Sequence, residues 1–153
     1  MYAWTKEIIL NTSADHAYKH LYSYVTGKYE VVDERKPSYI KVKLRRTAHL
    51  SINILPRETG THVKFEFDFS QELFMYIAYC TFVFFISLFF HHPGLLFAFL
   101  YTSSSLFYFS SSRGKIVSST TDDFISFLNN KGITIKKIEV EEAGENRANY
   151  PTT

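Results

Sequence analysis

The chain has 153 residues, 46% hydrophobic and 21% charged, with 17 Lys and Arg against 15 Asp and Glu for a net charge of +2. That is the length of one domain with enough apolar content for a core, which excludes a disordered chain, and the near balance of charge excludes a polyanion-binding tail. A single cysteine excludes an internal disulfide and a cysteine-rich zinc site, while aromatic residues reach 18%.

In chain order, Trp4, Ile8 and Leu10 sit on an extended stretch that reads as a first strand. Asn11, Thr12 and Ser13 are N-cap candidates for a helix over 14–25, with Ala14, Ala17, Tyr18, Leu21 and Val25 on one face and Gly27 ending it. His16 and His20 are four residues apart on that helix, the spacing that can place two imidazoles on one metal, with Asp15 adjacent. Both lie opposite the apolar face and no third ligand stands nearby in sequence, so they read as solvent-facing surface and no metal is assigned.

Extended runs follow over 29–35, 39–46 and 50–55, with Lys36, Pro37 and Ser38 breaking the first from the second. The second alternates, with Ile40, Val42 and Leu44 on one face and Lys41, Lys43 and Arg45 on the other. That basic face is a candidate contact for anionic headgroups or a partner protein, the plainer alternative being cross-strand pairing with Glu66 or Asp68. It lacks interleaved aromatics, which argues against single-stranded nucleic acid. Residues 56–61 read as a turn, and 62–70 as a strand with Val63, Phe65, Phe67 and Phe69 inward and Lys64, Glu66 and Asp68 outward.

Residues 73–112 contain no Asp, Glu, Lys or Arg. The first eighteen, 73–90, form as a helix a rod about 27 Å long, close to a bilayer core of roughly 30 Å. His91, His92, Pro93 and Gly94 have the chemistry of a turn, and 95–112 supplies a second uncharged stretch interrupted by Thr102, Ser103, Ser104 and Ser105. Two transmembrane helices in a hairpin are therefore expected, the alternatives being the core of a helical domain or a pair of buried strands. In an antiparallel pair, residues at equal depth have numbers summing to about 185. Cys80 and Thr81 then oppose Ser104 and Ser105, Ser87 opposes Ala98, and Tyr76 lies level with Tyr108 or Phe109. Arg113 and Lys115 directly after the second span, and a turn without Lys or Arg, place both termini on the cytoplasmic side of the cell membrane. The first residues, Met1 to Glu7, carry no apolar signal-like run, so no secretory leader is expected.

Beyond the second span, residues 118–123 are rich in capping side chains and lead into a helix over 121–130 carrying Phe124, Ile125, Phe127 and Leu128. Asn129 to Gly132 stop it, 133–141 read as a last strand or extended tail, and 143–153 form a polar tail. The expected fold class is α+β: a small antiparallel sheet with two covering helices, built from 1–70 and 113–142 on the cytoplasmic side and interrupted by the two-helix transmembrane hairpin at 73–112.

The opening Trp4 to Leu10 followed by Thr12 to Tyr18, and the strand pair that runs from Ile52 through Gly60 and Thr61 to Phe65, resemble a shortened helix-grip domain of the START-like superfamily of lipid-transfer and polyketide-cyclase proteins. The resemblance implies an apolar ligand, such as a lipid, held between sheet and C-terminal helix, with the hairpin standing where later strands of that fold run. A ferredoxin-like sandwich fits the same element order.

No carboxylate pair, nucleophile elbow or phosphate loop is present, so no catalytic, cofactor-binding or metal residue is assigned and no cofactor is expected. The expected function is that of a small integral membrane protein acting without catalysis as an accessory subunit or binding module of a membrane complex. Its expected partners are the lipid bilayer, a membrane protein and a bound lipid, and not nucleic acid. The alternatives are a membrane-tethered START-like binder of lipid, and a soluble carrier or enzyme with an apolar lid.

Overall fold

The computed structural model describes residues 3–58, 60–89 and 92–141, with side chains described over 4–58, 60–86 and 100–136. Its elements in order are β1 (Ala3–Leu10), α1 (Ala14–Lys28), β2 (Glu30–Arg35), β3 (Tyr39–Arg45), β4 (Ala48–Arg57), β5 (Gly60–Asp68), α2 (Ser70–Phe89), α3 (His92–Asn130) and β6 (Ile135–Glu141). The fold class is α+β. Six antiparallel strands form one sheet in the order β2-β3-β4-β5-β1-β6, so β1 lies between β5 and the last strand of the chain.

Period-2 alternation decides the sheet's faces. Ile8, Leu10, Ile40, Val42, Leu50, Ile52, Ile54, Val63, Phe65 and Phe67 are fully buried on one face. Ala17, Leu21 and Val25 of α1, with Val117, Phe124 and Leu128 of α3, pack onto that face and close a single core. The ring of Phe124 lies 5.2 Å from that of Phe65 and 4.6 Å from that of Tyr24, which ties α3, the sheet and α1 together.

Ser13 caps α1, its hydroxyl accepting a hydrogen bond from the backbone N–H of His16 at 3.4 Å. The helix passes through the expected stop at Gly27 and runs to Lys28. A solvent-facing glycine costs a helix only about 1 kcal/mol, and the Lys28 ammonium is held at 2.7 Å by Asp123 of α3. Burial and the Glu34 carboxylate, to which the phenol donates at 3.4 Å, push the Tyr18 pKa up to about 12.

Strands β4 and β5 extend further than expected, because Pro56 and Arg57 pair with Thr61 and Gly60 rather than forming the turn. Gly60 makes this possible. Its φ is +136°, and a Cβ there would lie 2.5 Å from the backbone carbonyl oxygen of Leu10. Gly60→Ala is therefore expected to destabilise the protein by about 2 kcal/mol or more, read by urea denaturation. A loss below about 0.5 kcal/mol would show that the strand end relaxes freely.

Two expectations are corrected by the helices. The short helix over 121–130 is the end of the 39-residue α3, which continues unbroken through 113–120. Serine and threonine in that stretch do not interrupt it: Thr121 returns its hydroxyl to the Val117 carbonyl at 2.7 Å. Val117, Thr121, Phe124 and Leu128 make one buried stripe along the sheet. A Schellman-type end follows, with Ile133 N–H bonded to Leu128 O at 3.1 Å and Gly132 at φ +75°.

The second correction concerns the membrane. No helix among the described residues is long and apolar enough to cross a membrane. That finding overturns the two-span transmembrane hairpin, the integral membrane protein, and its multi-pass placement in the cell membrane with cytoplasmic termini. An uncharged run is a different quantity from an apolar helix of spanning length. The first turn of α2 is Ser70, Gln71 and Glu72, and α3 carries the hydroxyls of Thr102 to Ser105 and Ser110 to Ser112 before joining the core of the domain. The expected turn at His91 lies outside the described residues, as does the polar tail over 143–153; Pro93 and Gly94 instead belong to the first turn of α3.

Candidate functional site

The part of the molecule that the core leaves unexplained is an arm made of α2 and the N-terminal half of α3. The two helices run antiparallel in contact, and their large apolar side chains face outward. Phe74, Phe107 and Tyr108 are 73%, 77% and 75% exposed, and Met75, Ile77, Phe82, Phe85 and Tyr101 are exposed as well. Large contiguous apolar surface is rare on a monomer and marks a place of association.

The root of the arm holds a nearly buried ion pair. Glu72 of α2 and Arg113 of α3 form an ion pair at 2.5 Å, with their side chains only 10% and 15% exposed. The Thr47 hydroxyl donates to the other Glu72 oxygen at 3.2 Å, which attaches the pair to the turn between β3 and β4. The guanidinium lies 4.5 Å from the centre of the Phe109 ring and 5.8 Å from that of Phe69. One turn further out, Tyr76 stacks on Phe109 at 5.2 Å and its hydroxyl donates to the Thr102 carbonyl at 3.3 Å, with Ser105 beside it. An open cleft of about 350 Å³ lies at the same root, lined by Thr47, Ser70, Gln71, Phe74 and Met75.

The residues picked out from sequence are scattered across this geometry. Cys80 and Ser105 are half-buried, whereas Thr81 and Ser104 are exposed and the Thr81 hydroxyl bonds back to the Ile77 carbonyl of its own helix at 2.8 Å. The side chains of Ser87 and Ala98 lie outside the described residues. Lys41, Lys43 and Arg45 sit on the sheet face away from the helices, and β2 supplies their acidic neighbours: Lys43 pairs with Glu30 at 3.5 Å and Lys41 stands opposite Asp33. Glu66 is held instead by Lys64 at 2.8 Å. Asp68 keeps a carboxyl pKa below the ordinary value. Burial opposes this, but hydrogen bonds from Ser70 and the charges of His49 and Lys41 outweigh it. A basic stripe with acids one strand away is a mixed surface rather than a positive field.

Glu72, Arg113 and Thr47 were not recognised as a unit in the sequence, although a signal was there. Glu72 and Arg113 satisfy the same sum of 185 that aligns Tyr76 with Phe109.

No group of three or more His, Cys, Asp or Glu side chains that could hold a metal occurs among the described residues. His62 meets Glu7 across β1 and β5, Nδ1 to Oε1 at 2.5 Å, and its buried Nε2 has no hydrogen-bond partner among the described residues. Comparison with known proteins returns nothing: no family model, no curated protein and no solved structure matches the chain. No relative therefore supports the START-like resemblance or the lipid binding it implied.

Proposed function

We propose that the chain is a non-catalytic binding module of a larger assembly, and that the α2/α3 arm is the surface by which it associates. The observation that carries this reading is the row of exposed aromatic and aliphatic side chains along an arm whose root is clamped by Glu72 and Arg113. Aromatic anchors on a pre-organised element are what binding surfaces use, since ordering costs little on association. The partner that fits is a protein with a complementary apolar face. The mixed-charge outer face of the sheet stays in water.

Photo-crosslinking in cells tests this. A benzophenone side chain at Phe107 or Phe74 is expected to give one protein adduct of discrete mass, and the same group at Leu55, exposed on the sheet, is expected to give none. Adducts to lipid alone, or equal labelling from all three positions, would overturn the reading.

A further inference from the structure

Away from the arm, and independent of its role, the structure brings together two side chains that the sequence left as surface. His16 and His20 lie on adjacent turns of α1 with their Nε2 atoms 3.2 Å apart and their rings edge to face, centroids 4.4 Å apart. Two imidazole nitrogens bound to one metal at about 2.0–2.1 Å sit about 2.9 Å apart at a right angle and about 3.3 Å apart at the tetrahedral angle. The observed separation falls inside that range, so rotation of the two rings about their side-chain bonds can bring both lone pairs onto one ion.

A neighbouring hydroxyl completes the arrangement. Thr12 Oγ1 lies 3.1 Å from Nδ1 of His16. With that oxygen accepting from Nδ1–H, His16 is held in the tautomer whose Nε2 carries the lone pair, the outer-shell device found behind most histidine ligands. Metal binding also needs neutral imidazoles. Coordination requires His20 to carry its proton on Nδ1, so that both Nε2 atoms present lone pairs and two neutral rings bind.

We propose that His16 and His20 form a two-histidine site for a late first-row divalent ion of the copper or zinc type, with Thr12 as the positioning residue and water completing the coordination sphere. Imidazole donors select these ions over magnesium and calcium, and copper(II) binds most tightly in the series. Two ligands from adjacent turns also tie down the first turns of α1, so the ion stabilises the fold to which it binds.

The probe is copper(II), titrated into the full-length protein and followed by its visible absorption and by nitrogen hyperfine structure in electron paramagnetic resonance. One equivalent is expected to bind with a two-nitrogen signature. His16→Gln and His20→Gln are each expected to weaken binding at least tenfold and leave a one-nitrogen signal, while circular dichroism confirms that the helix persists. Thr12→Val is expected to weaken binding about tenfold with the two-nitrogen signature kept. Substituting His91 and His92 together is expected to change nothing. An unaltered titration in His16→Gln and His20→Gln, or loss of the tightest site only in the His91 and His92 variant, would overturn the proposal.

Discussion

Arg113→Ala is expected to lower the free energy of unfolding by about 3–5 kcal/mol, because it leaves the Glu72 carboxylate buried without its cation. The loss includes packing, since the guanidinium lies between the Phe69 and Phe109 rings. Equilibrium denaturation measures it. Glu72→Ala is expected to cost a similar amount, for it strands the arginine instead. The double replacement Glu72→Leu with Arg113→Met removes both charges at near-constant volume and is expected to recover most of the loss. A deficit below about 1 kcal/mol in either single variant would place the pair with ordinary surface salt bridges. The arm should loosen along with the loss of stability, because no other charged pair joins α2 to α3 among the described residues. In the Arg113→Ala protein, hydrogen exchange is therefore expected to rise along residues 70–86 before it rises in the sheet.

Phe124→Ala should cost about 3–5 kcal/mol, the range for truncating a fully buried phenylalanine. The side chain has no exposed surface and contacts the Phe65 and Tyr24 rings, so its removal opens a cavity where three elements meet. Phe107→Ala offers the contrast. Its ring is 77% exposed, and truncation is expected to leave stability within about 0.5 kcal/mol while abolishing association through the arm. Equal losses in the two variants would mean that the arm packs back on the domain, and would count against a docking role.

These predictions separate two kinds of apolar residue that composition cannot distinguish. Phe65, Phe67, Phe69 and Phe124 are internal, whereas Phe74, Phe82, Phe85 and Phe107 are not. In the strands the difference is written locally, since a charged residue stands between each pair of inward side chains from Val63 to Phe69. No such alternation exists in 73–112. With charge absent on every side, the stretch carries no local mark of what surrounds it, and length, apolar content and the turn chemistry at 91–94 point to a membrane hairpin.

Local chemistry in the sequence determined the strands β1 to β5, the cap and buried stripe of α1, the end of α3 at Gly132 and the α+β class, because each depends on side chains within a few residues of one another. Tertiary structure decided that α3 runs as one helix, since its Val117 to Leu128 stripe is held by a sheet made up of residues far away in the chain. The same holds for β6, which takes the free edge of β1, and for Glu72 with Arg113, forty-one positions apart in sequence but 2.5 Å apart in space. The pairing of the two histidines belongs to both levels: helical spacing places the rings on one face, and the side-chain conformations, with Thr12 at Nδ1 of His16, bring the Nε2 atoms to 3.2 Å.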